Sequence, residues 1–146
     1  MTLTIYNYFQ FHCRAGLQTF VDFIEDFRFS QSDLQYLASL KDSAKKPLFE
    51  EGFLEYLADF RFEGDIDALE EGTLVFPYEP LIRIKAPILQ AQILESAVLN
   101  IINYQTLIAT KAARIKLATG SDTLVEFGMR RGKGSMVPLQ HLGLLI

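Results

Sequence analysis

From Ile88 to Thr119 the chain contains neither Gly nor Pro, and nothing in that span constrains the fold more. Apolar residues recur along it at helical spacing: Ile88, Leu89, Ile93, Leu94, Val98, Leu99, Ile101, Ile102, Leu107 and Ile108. They fall on most faces of a helix, the pattern of a central helix rather than a surface one. At about 1.5 Å per residue, one helix over this span would be about 48 Å long. A compact globule of this chain length has a radius of gyration near 15 Å, and so a diameter of roughly 38 Å. The segment is therefore kinked, broken near the Asn-rich stretch 100–106, or built to pack against more protein than a small domain supplies. Gly120-Ser121 marks its end.

The rest of the chain is arranged around this helix. Residues 16–27 place Leu17, Phe20, Val21, Ile24 and Phe27 on one helical face, with Asp22, Glu25 and Asp26 on the other. Ser30 and Asp33 stand in the relation of N-cap and third helical residue, opening a second helix with Leu34, Leu37 and Leu40 as its buried stripe. Residues 41–48 are a polar linker stopped by Pro47. A third helix, about 50–59, is expected to bury Phe53, Leu54, Leu57 and Ala58. The tetrapeptide Asp-Phe-Arg-Phe closes the first and third helices, at 26–29 and 59–62. Two copies are too few for a solenoid. They read as a recurrent way of leaving a helix, with Phe buried and Arg solvated.

From Gly64 the period changes. Residues 65–69, 73–76 and 81–85 alternate as strands, with Leu81, Ile82 and Ile84 set against Arg83 and Lys85. Glu71-Gly72 is a turn signal, and Pro77, Pro80 and Pro87 point to short or edge strands. Helices followed by clustered strands indicate an α+β layer. A further strand is expected at 123–127. The closing segment from Met136 has neither helical nor strand period.

Composition bounds the function classes. The chain has 146 residues, is 49% hydrophobic and 22% charged, and carries a net charge of −4. That composition is globular and not disordered. Its sign argues against nucleic-acid binding by bulk charge. No apolar run is long enough to span a membrane. The first residues lack a basic region and a small-residue cleavage site, so no signal peptide is expected. One cysteine, Cys13, fits a reducing compartment, and the cytoplasm is the expected address.

The chemistry-bearing residues are few. A strand ending in Glu126-Phe127-Gly128 leads into Arg130, Arg131 and Lys133 among glycines, where forked cationic donors lie beside pliant backbone. That arrangement suits carboxylate or phosphate recognition, against the plainer reading of a solvated basic loop. Lys111 and Arg114 share a helix face near its C-terminal end, and are explained equally well by the helix dipole. His12 and His141 do not pair as metal ligands, and no Cys, His and carboxylate cluster has ligand spacing. Cys13 has no evident His partner, and no phosphate-cradling loop of the Gly-Lys-Ser/Thr type occurs. Asn100, Asn103, Tyr104, Gln105 and Thr106 form a polar band expected to satisfy neighbouring backbone or an interface.

Ala15 to Lys133 resembles the N-terminal part of bacterial nicotinate phosphoribosyltransferases. The resemblance is carried by AGLQTFVDFIEDFRFSQSDLQYLASL, by the long run from Phe53 to Ala118, and by VEFGMRRGKG. It implies an α+β fold: the N-terminal α/β domain of a type II phosphoribosyltransferase, a long central helix, and the first strand of an incomplete α/β barrel. The corresponding division is 1–87, 88–134 and an aberrant 135–146. The implied reaction joins nicotinate to phosphoribosyl pyrophosphate, with ATP hydrolysis and Mg, giving nicotinate mononucleotide in NAD salvage. The intact enzyme is implied to be a homodimer. By the same resemblance Arg130 meets the nicotinate carboxylate or the phosphoribosyl group, with Arg131 second. Phe127 lines the base pocket, and Lys111 and Arg114 are possible phosphate contacts. The alternatives are a non-catalytic dimerisation or interaction module derived from that enzyme, and a plain α+β domain without ligand.

Two stretches depart from the family pattern. After the paired arginines the family continues roughly Gly-Pro-Asp-Gly-Ala-x-x-Ala-Ser-Arg-Ala-x-Tyr-Ile, whereas residues 135–146 read SMVPLQHLGLLI. Shifted by one base, codons for that tail can spell Asp-Gly-Ala-x-Ala-Ala-Ser-Arg-Ala-Ser-Tyr. Residues 10–14, QFHCR, shifted likewise, can read Asn-Phe-Thr-Val-Ala. A frameshift is the expected origin of the tail, and no phosphoribosyl transfer is expected of the chain alone. The Asp-x-Tyr segment that opens such families is absent, so Tyr6 and Tyr8 are given no substrate role.

Overall fold

The computed structural model describes residues 2–6, 11–123 and 125. The chain order is β1 (Thr2–Tyr6), β2 (His12–Cys13), α1 (Leu17–Asp26), α2 (Gln31–Ser39), α3 (Glu51–Ala58), β3 (Asp65–Ala68), β4 (Leu74–Val75), β5 (Pro80–Lys85) and α4 (Ile88–Thr119). Two compact units form, one from Met1–Val21 with Gly64–Ile146 and the other from Asp22–Glu63.

In the first unit β5 is the centre of a three-stranded antiparallel sheet, ordered β1-β5-β3. Ile84 stands opposite Leu3 on one side and Ile66 on the other. Ile82 and Ile84 are buried while Arg83 and Lys85 are exposed, as alternation predicts, and Leu81 is buried although it shares a face with Arg83. The prolines do not make β5 an edge strand. Pro80 is its first residue, where a missing N–H does little harm to the ladder. β2 and β4 form a separate two-stranded pair, His12 opposite Val75 and Cys13 opposite Leu74. Neither β1 nor β2 was expected from the sequence.

α4 is one unbroken helix of 32 residues. It has no break near 100–106. Pro87 precedes it, and Gly120, with φ 59°, stops it. Its burial is one-sided: Ala91, Leu94, Val98, Ile101, Ile102 and Ala109 are buried, whereas Ile88, Leu89, Leu107 and Ile108 are exposed. The all-round apolar pattern therefore exceeds what the described residues cover.

The second unit is held by aromatic rings. Phe27 lies 5.2 Å from Phe29 and 5.5 Å from Phe60, and Phe29 lies 5.9 Å from Phe60, all near edge-to-face. The two Asp-Phe-Arg-Phe copies thus pack against each other. Arg61 turns back to the carbonyl of Phe60 at 2.7 Å, and Arg28 makes the equivalent bond to Phe27. Ser30 caps α2 and Asp33 returns the bond, a complete capping box. Leu34, Leu37 and Leu40 are only half-buried, however, because α2 leaves much of its surface to solvent. On α3, Leu57 is buried, Phe53 and Leu54 are half-buried, and Ala58 is exposed. Phe60 takes the inward place expected of Ala58. The 41–48 linker is ordered by Asp42, whose carboxylate accepts from the N–H groups of Ala44 and Lys46 at 2.8 and 2.9 Å.

Candidate functional site

Residues 11–19 are tied to α4 by a polar seam. Thr106 and Thr110 stand one helical turn apart, so both hydroxyls face the same side. The Cys13 N–H donates to Thr110 Oγ1 at 3.0 Å. The Ala15 N–H donates to Thr106 Oγ1 at 3.3 Å, and that hydroxyl lies 3.2 Å from the Ala15 carbonyl. Gln105, the residue before Thr106, donates from Nε2 to Thr19 Oγ1 at 2.9 Å. One turn beyond Thr110, Arg114 donates to the Phe11 carbonyl at 3.2 Å, its guanidinium 4.9 Å from the Phe11 ring centroid. Thr106 therefore satisfies the backbone that crosses α4, as expected of the polar band, whereas Gln105 bonds a side chain.

The crossing is close because residue 16 is glycine. Gly16 has φ +100°, and a Cβ there would lie 3.2 Å from the Ile101 carbonyl oxygen and 3.3 Å from Gln105 Cβ. The α1 N-terminus begins at this point. Glu71, from the turn before β4, accepts from the N–H groups of Gly16 at 2.8 Å and Gln18 at 3.2 Å. A carboxylate from another part of the chain thus caps α1. Gly72, with φ +81°, shapes the turn that presents it.

Three ionisable groups lie along the seam. His12 is buried, with Nδ1 3.3 Å from Thr110 Oγ1. The Thr110 hydroxyl gives its hydrogen to the Thr106 carbonyl at 2.6 Å, so Nδ1 meets it as the N–H donor. Burial, and then the charge of Arg114, hold His12 below the usual imidazole range. Burial pushes the Cys13 thiol up. Arg14 is fully buried, and its three guanidinium nitrogens have no hydrogen-bond partner among the described residues. Burial depresses its proton affinity, and the Glu71 carboxylate opposes the effect. The Arg14 main chain extends the β2–β4 pairing, with N–H to Thr73 O at 3.0 Å and C=O from Gly72 N at 2.8 Å.

Of the residues assigned by resemblance, Phe127, Arg130 and Arg131 lie outside the described residues. So does the expected strand at 123–127, apart from Thr123 and Val125, which belong to no regular element. Arg114 is engaged with Phe11, while Lys111 is exposed on α4. The cation that serves the helix end is Lys116, which is in the last turn and reaches the Asp122 carbonyl at 3.0 Å. The dipole reading therefore belongs to Lys116, because the effect fades beyond the last turn. Sequence reasoning missed Glu71 and Thr110. The spacing of Thr106 and Thr110 was a usable signal, whereas a cap supplied from 55 positions away was not.

The sequence and the overall fold have counterparts in known proteins. Residues 6–103 match the model of the nicotinate phosphoribosyltransferase (NAPRTase) N-terminal domain. This chain belongs to that family. It is 48% identical over 117 residues to the nicotinate phosphoribosyltransferase of Bacillus subtilis, covering 80% of this chain and 23% of the relative. It is 45% identical over 121 residues to one from Mycobacterium tuberculosis, covering 83% and 25% respectively. The crystal structure of human nicotinic acid phosphoribosyltransferase superposes with a TM-score of 0.77 at 34% identity, covering 91% of this chain and 27% of that one. The chain thus spans about a quarter of the length of the relatives it matches. Among its described residues, no group of three or more His, Cys, Asp or Glu side chains is gathered to hold a metal ion, and no helix is long and apolar enough to cross a membrane.

Proposed function

We propose that the chain acts as the N-terminal domain of a nicotinate phosphoribosyltransferase, the enzyme that joins nicotinate to phosphoribosyl pyrophosphate to form nicotinate mononucleotide. The match of the family model over residues 6–103 carries this reading. Both substrates are anions, and departure of pyrophosphate calls for positive charge already in place. Arg130 and Arg131, with two forked guanidinium groups in consecutive positions, supply it in this proposal, and Phe127 borders the nicotinate ring. Lys111, exposed on α4, is a further phosphate contact. ATP coupling, Mg, a homodimeric assembly and a cytoplasmic setting follow from the family resemblance alone. Among the described residues no cluster of His, Cys, Asp or Glu side chains is gathered to hold Mg.

The chain by itself is proposed to be inactive, because the relatives extend over about four times its matched length. The test uses a chimera in which Ala15–Lys133 replaces the matching region of the Bacillus subtilis enzyme. The chimera is expected to convert radiolabelled nicotinate, Arg130→Ala to abolish conversion, and the 146-residue chain alone to show none. Turnover by the isolated chain, or a fully active Arg130→Ala chimera, contradicts the proposal.

A further inference from the structure

One carboxylate stands between the N-terminus of α1 and the buried Arg14, and it serves only the helix. Glu71 places a single oxygen, Oε1, on the N–H groups of Gly16 and Gln18, at 2.8 and 3.2 Å. α1 has ten residues, long enough for its end to carry a positive potential. Arg14 lies two residues before Gly16. Its carbonyl accepts from the Gly72 N–H at 2.8 Å, which fixes it against the residue that follows Glu71. Yet its guanidinium, 0% exposed, makes no hydrogen bond from any of its three nitrogens among the described residues. The acid whose charge reaches it is Glu71. Tethered to its own turn, that carboxylate caps the helix and leaves the guanidinium fork unserved.

An untethered tetrahedral oxyanion suits this combination better. It carries oxygens in several directions, so one can replace Glu71 Oε1 on the helix N–H groups while others meet the guanidinium. Arginine's planar fork is matched to that pairing. Glu71 and Gln18 are exposed whereas Arg14 and Gly16 are buried, so the seat joins a carboxylate replaceable from solvent to an enclosed cation. We propose that the α1 N-terminus and Arg14 form a binding site for a small oxyanion of the phosphate class, which Glu71 occupies as a built-in substitute and vacates when the anion binds. Arg14 supplies the driving force: a guanidinium buried without partners destabilises the fold, and pairing it with an anion relieves that penalty. Binding competes with an intramolecular carboxylate, so the wild-type chain binds weakly and removal of Glu71 strengthens binding. The site involves neither Arg130 nor Arg131, and stands whether or not the chain serves nicotinate transfer.

The test is equilibrium dialysis of the 146-residue chain against radiolabelled inorganic phosphate, with ionic strength held constant by sodium chloride. Glu71→Ala is expected to bind phosphate in a single saturable class, about tenfold or more tightly than the wild type. Glu71→Ala combined with Arg14→Met is expected to show no saturable binding. Thermal unfolding followed by circular dichroism gives a second reading. Phosphate at about 50 mM should raise the melting temperature of Glu71→Ala by about 3 °C or more beyond its rise in the double variant. The difference between variants removes the general stabilisation that excluded salts give any protein. Should Glu71→Ala fail to fold, the wild type and Arg14→Met carry the comparison, and the phosphate-dependent rise is larger in the wild type. Saturable binding that survives Arg14→Met overturns the proposal, as does its absence from a folded Glu71→Ala chain. Equal rises in the wild type and Arg14→Met overturn it likewise.

Discussion

Replacing Arg14 should make the protein more stable. Its guanidinium is wholly buried and lacks a hydrogen-bond partner among the described residues. A buried charge without adequate partners costs several kcal/mol, and exchanging buried ionic groups for apolar ones of similar volume is often stabilising by about 1–4 kcal/mol. Arg14→Met keeps the length of the side chain and removes the charge. For a chain of this size each kcal/mol corresponds to roughly 3–4 °C, so the melting temperature should rise by about 3–15 °C. The assay is thermal unfolding followed by circular dichroism at pH 7, with Glu71→Gln made in both backgrounds. Glu71 opposes the burial penalty of Arg14 and also caps α1, so Glu71→Gln should cost more beside Arg14 than beside Met. A lower melting temperature for Arg14→Met would refute the reasoning and mean that the charge has a strong partner.

Three further outcomes follow from the same structure. His12 is held below the imidazole range when folded, so below about pH 6.5 the unfolded chain binds a proton that the folded chain refuses. Stability should therefore fall on acidification through that interval, by at most about 1.4 kcal/mol per pH unit, and His12→Asn should flatten the dependence in denaturant titrations. Gly16→Ala puts a Cβ against Ile101 and Gln105 at a positive φ, and should lower stability by about 1–3 kcal/mol in urea unfolding. Sequencing the DNA that encodes residues 135–146 should reveal family-like codons in the neighbouring frame; codons that spell nothing of the kind remove the frameshift reading.

Local rules made much of this fold legible. Absence of Gly and Pro defined α4 to the residue, Ser30 and Asp33 defined the start of α2, and alternation defined the buried side of β5. Each of these depends on residues within a few positions of one another. What escaped was set by distant partners. β2 has two residues and exists because β4 pairs with it. β1 is a strand because β5 lies beside it, although Thr-Leu-Thr-Ile-Tyr alternates. The α1 cap comes from Glu71, which lies 55 positions from Gly16. The apolar pattern of α4 is wider than the surface that the described residues bury. Substrate chemistry was legible only through resemblance, since Arg130, Arg131 and Phe127 carry no geometry in the described residues.

The most direct measurement is kcat/KM for nicotinate in the Bacillus subtilis chimera carrying Ala15–Lys133 of this chain. At 48% identity over the matched region, the account predicts a value within about tenfold of the parent, a change of about 1.4 kcal/mol in barrier. A chimera that folds and assembles like the parent but transfers no phosphoribosyl group to nicotinate would contradict it.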